Sequence, residues 1–379
     1  MEKFSKPGKH SLLTLSPLQR TTRKTANCLF LGLFFFSISC SSDDAEPESN
    51  FVEETLATYE ASFQGNGGFT ASLFNADGTS FTGAFGESEE GVNLAPTMSF
   101  AIGSISKTFT SVLTLGLVEE GKLSLEDSVG LYLPDIADEE ISGSITIGQL
   151  LYHNSGLHHP LPGSDGLFNY VINNPSENIT FEKYKSFMAT PIAAPGESYS
   201  YSDANYKVLG MIIEEIEGTS FEEVLNTKIL EPLGMENTFI GNKGTVNSSA
   251  YSWVNAASLK DLDRTAVQSM GNYTGNIWST PEDLNRWFRA IFEGSILNAS
   301  TVDLITTFYA GDRGVNYGAG MFYEERAGKA VYWHSGFTIA YQSYCGYLPE
   351  TDQVWVVYTN QFNDEQIFSV LNDLFEQMS

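Results

Sequence analysis

Ser104 and Lys107 stand three residues apart at the head of an apolar run, "AIGSISKTFTS" (101–111). On a helix, positions i and i+3 share a face, so the lysine Nζ reaches the serine Oγ. A serine hydroxyl is a weak nucleophile at neutral pH and needs a neighbouring base. Burial disfavours the charged form of a lysine, which turns it into such a base. The start of a helix also favours negative charge developing on Oγ. Chance supplies about one Ser-x-x-Lys pair at ordinary composition, and here Lys107 is the only lysine with a serine three places before it. The alternative is a capping serine beside a solvated lysine.

Two further groups carry chemistry. In "SYSYSDANYKVLG" (198–210), Tyr201 and Asp203 are two apart just before a helical pattern. In an extended turn they point the same way. A tyrosine beside an ammonium gives up its proton more easily and can shuttle protons, and Asp203 could hold Lys107. The alternative is packing for Tyr201 and an N-cap for Asp203. In "YWHSGF" (332–337), His334, Ser335 and Gly336 sit on a strand pattern. A strand glycine lets a ligand approach the backbone, and N–H groups there can form an oxyanion hole. His334 by itself reads as structural. His153, His158 and His159 lack metal-ligand spacing, so no metal site is expected. Phe168, Tyr170, Tyr273 and Trp278 are candidates for lining a cleft or for packing, and Cys345 reads as core.

These groups need elements to hold them. Residues 68–86 read as a hairpin around Ala76-Asp77-Gly78. Residues 104–120 read as a helix ending near Gly121, and 280–294 as a helix capped by Thr280 with Pro281 at its first position. The stretch 120–270 is rich in helix signals. Three strand patterns and a last helix close the chain. The expected class is α/β (α+β): an antiparallel sheet built from both chain ends, flanked by helices, with an all-helical domain inserted over roughly 120–270.

The first forty residues obey other rules. Six basic residues precede "NCLFLGLFFFSISC" (27–40), an apolar run too short to span a bilayer comfortably. Residues 1–39 read as an export signal, against a buried helix or a short membrane anchor. Excluding them leaves 14 bases (20 less six) and 46 acids (47 less one), a net charge of −32 against −27 for the whole chain. Such acidity argues against nucleic acid as a partner. Residues 40–54 read as an acidic tether. Without Cys28 and Cys40, Cys345 stands alone, so no intrachain disulfide is expected.

Together and in this order, Ser104-x-x-Lys107, Tyr201-Ser202-Asp203 and His334-Ser335-Gly336 resemble the motifs of the penicillin-recognising serine hydrolases: class C β-lactamases, DD-peptidases and related esterases. "LSLEDSVGLYLPDI", "ITIGQLLYHNSGL" and "EPLGMENTF" are similar to other family segments, and the likeness spans about 55–379. It implies an acyl-enzyme on Ser104, proton movement by Lys107 and Tyr201, and an oxyanion hole from the Ser104 and Phe337 N–H groups. It implies no cofactor, a small-molecule or peptide substrate, and a site between the sheet domain and the helical one. Two departures matter. Asp203 stands where Asn is common and removes an amide donor. His334 stands where β-lactamases have Lys and is mostly neutral at pH 7. Both favour a peptidase or esterase over a β-lactamase. Likewise "SISC" resembles a lipobox, implying lipidation at Cys40 and an anchor in the cell envelope rather than plain secretion. The rival expectation is a catalytically silent surface lipoprotein that uses the same fold for binding.

Overall fold

The computed structural model describes residues 50–378, apart from 64, 164, 242–252, 255–256, 259–260, 311–315, 327, 340 and 362–363. The expected signal (1–39) and Cys40 lie outside the described residues. Among the described residues no helix is long and apolar enough to cross a membrane.

The described chain opens with α1 (Phe51–Glu60). Residues 51–54 were expected in the tether and instead form its first turn. Asn50 caps the helix by accepting from Glu53 N at 3.3 Å, and Val52 and Leu56 are buried. An acidic stretch thus becomes helical where apolar residues at helical spacing find a surface to cover.

That surface is an antiparallel nine-stranded sheet. Its strands are β1 (Gly68–Phe74), β2 (Ser80–Glu89), β3 (Val92–Asn93), β4 (Tyr309–Ala310), β5 (Asn316–Tyr317), β6 (Phe322–Arg326), β7 (Lys329–Phe337), β8 (Gln342–Leu348) and β9 (Gln353–Thr359). The spatial order is β3-β2-β1-β9-β8-β7-β6-β5-β4. The two chain ends meet where β1 pairs β9, with Ala71 opposite Val357. The hairpin expected at 68–86 is present: Gly78 turns at φ 86°, and Asp77 Oδ1 accepts from Thr79 N at 2.9 Å.

Side chains alternate across a strand, so both faces of this sheet must be covered. From β9, Trp355 and Val357 join a core with α1 and the last helix, α6 (Asp364–Gln377). Val354, Val356 and Tyr358 face the larger core. That core holds α2 (Ser106–Glu119), α3 (Asp203–Glu217) and α5 (Pro281–Phe292). Cys345 is fully buried there, as its apolar setting suggested.

Helices are the main regular elements of residues 120–270, joined by long turns and loops, and α4 (Thr265–Met270) ends that stretch. They also contain short strands, missed because two apolar residues carry no periodicity. Phe239–Ile240 pairs with Ile277–Ser279, which also pairs with Phe100–Ala101. This small sheet ties the helical region to the turn bearing Ser104.

Candidate functional site

A tight 3₁₀ turn, Gly103–Ile105, runs straight into α2, and no side chain caps it. Two anchors hold it. Ile102 N donates to Ile277 O at 3.0 Å, and Ser343 Oγ on β8 donates to Ile102 O at 2.8 Å. Gly103 has φ 51°, and a Cβ there would lie 2.5 Å from Phe337 N. Glycine is therefore required both for the backbone angle and for the contact. The same squeeze explains Gly336, whose Cβ would lie 1.8 Å from Ile102 O. The sequence suggested that Gly336 admits a ligand; the chain's own backbone also approaches it, from Ile102. This close approach sets the Ser104 turn beside Phe337.

Lys107 is completely buried. Its Nζ lies 2.9 Å from Ser104 Oγ, 2.7 Å from Asp203 Oδ1 and 3.1 Å from Thr274 O. An ammonium donates to all three. A neutral amine donates to Asp203 and Thr274 and turns its lone pair to the serine hydroxyl. One geometry thus serves both protonation states. Burial holds the Lys107 pKa below its usual value although the Asp203 charge opposes it. Burial alone would raise the pKa of Asp203, but the neighbouring Lys107 ammonium brings it below the ordinary carboxylate value.

Tyr201 corrects an expectation. Its ring lies over Lys107, with Nζ 5.1 Å from the centroid, and it lines both hollows together with Ser104. Proximity to an ammonium was expected to ease loss of its proton. Instead burial, then the Asp203 charge, push its pKa well above 10, and only the neighbouring Ser104 opposes them. Tyr201 is a protonated hydroxyl. Asp203 is not the N-cap either: Ser202 caps α3 by accepting from Ala204 N, and Asp203 is its first residue.

His334 is buried on β7, and burial, aided by Lys107, pushes its pKa down to about 3. It is neutral at pH 7, as expected. Its Nε2 lies 3.3 Å from the Tyr317 hydroxyl. Ser335, Gly336 and Phe337 line a hollow of ≈ 330 Å³ on this side of Ser104.

The histidines of the 153–159 segment support the Tyr201 turn. His153 Nδ1 accepts from Ser202 N at 3.2 Å and bonds Asn205 Nδ2 at 2.8 Å. Its ring packs on Tyr201 with centroids 4.3 Å apart. His159 Nδ1 accepts from Asp203 N at 3.3 Å. Tyr317, Thr274 and Asn205 were not singled out by the sequence, because they reach the site only through non-local packing.

A larger cleft of ≈ 400 Å³ opens on the other side of Ser104. It is lined by Leu161, Phe168, Ile172, Val267, Met270 and Phe337, together with His159, Asp203 and Gly275. Its walls come largely from residues between 159 and 172 and between 267 and 275. Of the four candidate aromatics only Phe168 lines it; Tyr170 bonds Glu177, Tyr273 bonds Glu214, and Trp278 is core. Among the described residues, no lysine or arginine lines either hollow.

Comparison with known proteins agrees with this fold. Protein flp of Staphylococcus aureus (strain N315) is 28% identical over 305 residues, covering 76% of this chain and 57% of the relative. The chain therefore spans little more than half the length of that relative. Teichoic acid D-alanine hydrolase of Staphylococcus aureus (strain MRSA252) is 30% identical over 203 residues, 52% of this chain and 47% of the relative. Among solved structures, D-amino acid amidase from Ochrobactrum anthropi SV3, complexed with L-phenylalanine amide, superposes with TM-score 0.71 at 21% identity. That match covers 87% of this chain and 99% of the amidase. The family model described as Beta-lactamase matches residues 58–374, and the chain belongs to that family.

Proposed function

We propose that the chain is a serine hydrolase that cleaves an amide or ester through an acyl-enzyme on Ser104. The observation that carries this is the 2.9 Å approach of a fully buried Lys107 Nζ to Ser104 Oγ. Ser104 Oγ attacks the substrate carbonyl while its proton passes to the neutral Lys107 amine. The carbonyl oxygen gains negative charge and is held by the Ser104 and Phe337 N–H groups. The tetrahedral intermediate collapses, and Tyr201 hands its proton to the departing amine or alcohol while taking one from Lys107. Water then attacks the acyl carbon, gives its proton back through the same residues, and frees the acid and Ser104.

The substrate is an aminoacyl amide or ester rather than a β-lactam. A neutral His334 supplies no fixed charge for a substrate carboxylate. Asp203 offers no amide N–H to a substrate. The apolar cleft suits an acyl group with a hydrophobic side chain. The names of the amidase and D-alanine hydrolase relatives favour the D-configuration. Residues 55–379 would form the catalytic unit, with 120–270 as its helical insertion. Residues 1–39 and Cys40 would export the protein and anchor it in the cell envelope; recovery from cells without detergent would count against that anchor.

The test is intact-mass spectrometry of residues 41–379 after exposure to a fluorophosphonate, with peptide mapping. One adduct, on Ser104, is expected. A folded sample that takes up none would sink the mechanism and leave a protein that uses this fold for binding.

A further inference from the structure

Lys207 is a second buried lysine, 3% exposed, and the proposed acyl-transfer steps do not use it. It stands one turn after Asp203 on α3, on the same face. Among the described residues no carboxylate pairs with it directly. Its Nζ donates to Ser269 O at 3.1 Å and Met270 O at 3.2 Å, the last carbonyls of α4. Helix C-terminal carbonyls attract a cation. The rings of Tyr184 and Tyr273 flank it, with centroids 4.9 and 5.6 Å from Nζ. Asp203 and Glu214, on its own helix, are the carboxylates that act on it.

The turn beyond α4 forms a wall of the site. Gly271, Thr274 and Gly275 line the larger cleft. Thr274 O is the third acceptor of Lys107 Nζ, and Tyr273 O accepts from Thr110 Oγ1 of α2 at 2.6 Å. The end of α4 is thus held by one lysine and the turn beyond it by the other. Charge links them too. Asp203 lies between two buried lysines and pairs closely only with Lys107. When Lys107 becomes neutral to act as a base, Asp203 would be a buried carboxylate without a counter-charge, which is costly. A cation at Lys207 supplies that counter-charge.

Resting on the hydrolase reading, we propose that Lys207 is a positioning residue for the Ser104–Lys107 pair. It clamps the end of α4, which fixes the Thr274 carbonyl, and it balances Asp203 so that Lys107 can shed its proton. Burial, against the pull of Asp203, brings the Lys207 pKa down to about 7. Its charge is therefore present on the acid side of neutrality, where Lys107 most needs help to lose its own.

The experiment compares fluorophosphonate labelling of Ser104 in the wild-type protein and in Lys207→Met between pH 5 and 10, with folding checked by thermal melting. Removing a positive charge raises the proton affinity of Lys107, so the acid limb of the labelling rate should move to higher pH. The rate at pH 7 should fall about tenfold or more, while Lys207→Arg, which is charged at every pH, should keep the limb at or below its wild-type position. If Lys207→Met does not fold, Lys207→Gln replaces it with the same readouts. A slower rate with an unmoved acid limb means packing alone and overturns the proposal, as does a wild-type rate in the neutral variant. Failure of the wild-type protein to label removes the hydrolase reading itself, and this inference with it.

Discussion

At Lys107 the decisive quantity is desolvation. Its ammonium would be content with three acceptors, yet burial holds its proton affinity down. Lys107→Ala removes the only nitrogen base within hydrogen-bond reach of Ser104 Oγ among the described residues. Acylation should slow by about 10²–10⁴-fold, the usual worth of a positioned base. Rapid-mixing measurement of adduct formation checks this, and a wild-type rate would place the base elsewhere. The rate in the intact protein should rise with pH as Lys107 loses its proton, because only the amine accepts from Ser104. Of these residues, Ser104 and Lys107 were legible because their contact is local. Tyr201 was legible as a position, but its protonation state was not. That state depends on burial and on Asp203, which spacing does not reveal.

Among the elements, the junction between the 3₁₀ turn at Gly103–Ile105 and the end of β7 decides whether the site exists. Gly103 and Gly336 are small because two backbones touch. Gly336→Ala would push a methyl into Ile102 O, and a backbone atom cannot step aside as a side chain would. We expect a loss of roughly 1–3 kcal/mol, of the order seen for overpacking, and a steep drop in Ser104 labelling. Thermal melting and labelling together check it. An unchanged melting temperature would mean that β7 can shift without cost. Strands and helices with full periodicity, such as β9 and α5, were readable from the sequence. Two-residue strands such as Phe239–Ile240 were not, because their partners at Ile277–Ser279 are distant in the chain. The glycine signal at 336 was visible, but the distant Ile102 carbonyl that crowds it was not.

Over the whole molecule, acid should expose a weakness that the net charge partly hides. His334 and His153 are buried and neutral, and burial sets both pKa values below the usual 6.5, with His334 at about 3. The unfolded chain therefore binds more protons than the folded one between about pH 3 and 6.5. Stability contributed by these neutral rings is fully present above about pH 6.5 and is lost as pH falls toward 3. A net charge of −27 acts the other way, since acid relieves self-repulsion among the carboxylates. A melt of the wild-type protein sums both effects and separates neither. His334→Gln removes one titration while leaving the acidic surface intact. Melting temperatures taken from pH 7.5 to 4.5 should fall more steeply in the wild-type protein than in His334→Gln. The divergence should begin near pH 6.5 and reach the order of a few kcal/mol at the acid end. Parallel curves would mean that His334 gains its proton in the folded state at no cost. The cavity on its side of Ser104 could then hold a cation after all, which would reopen substrates bearing a carboxylate.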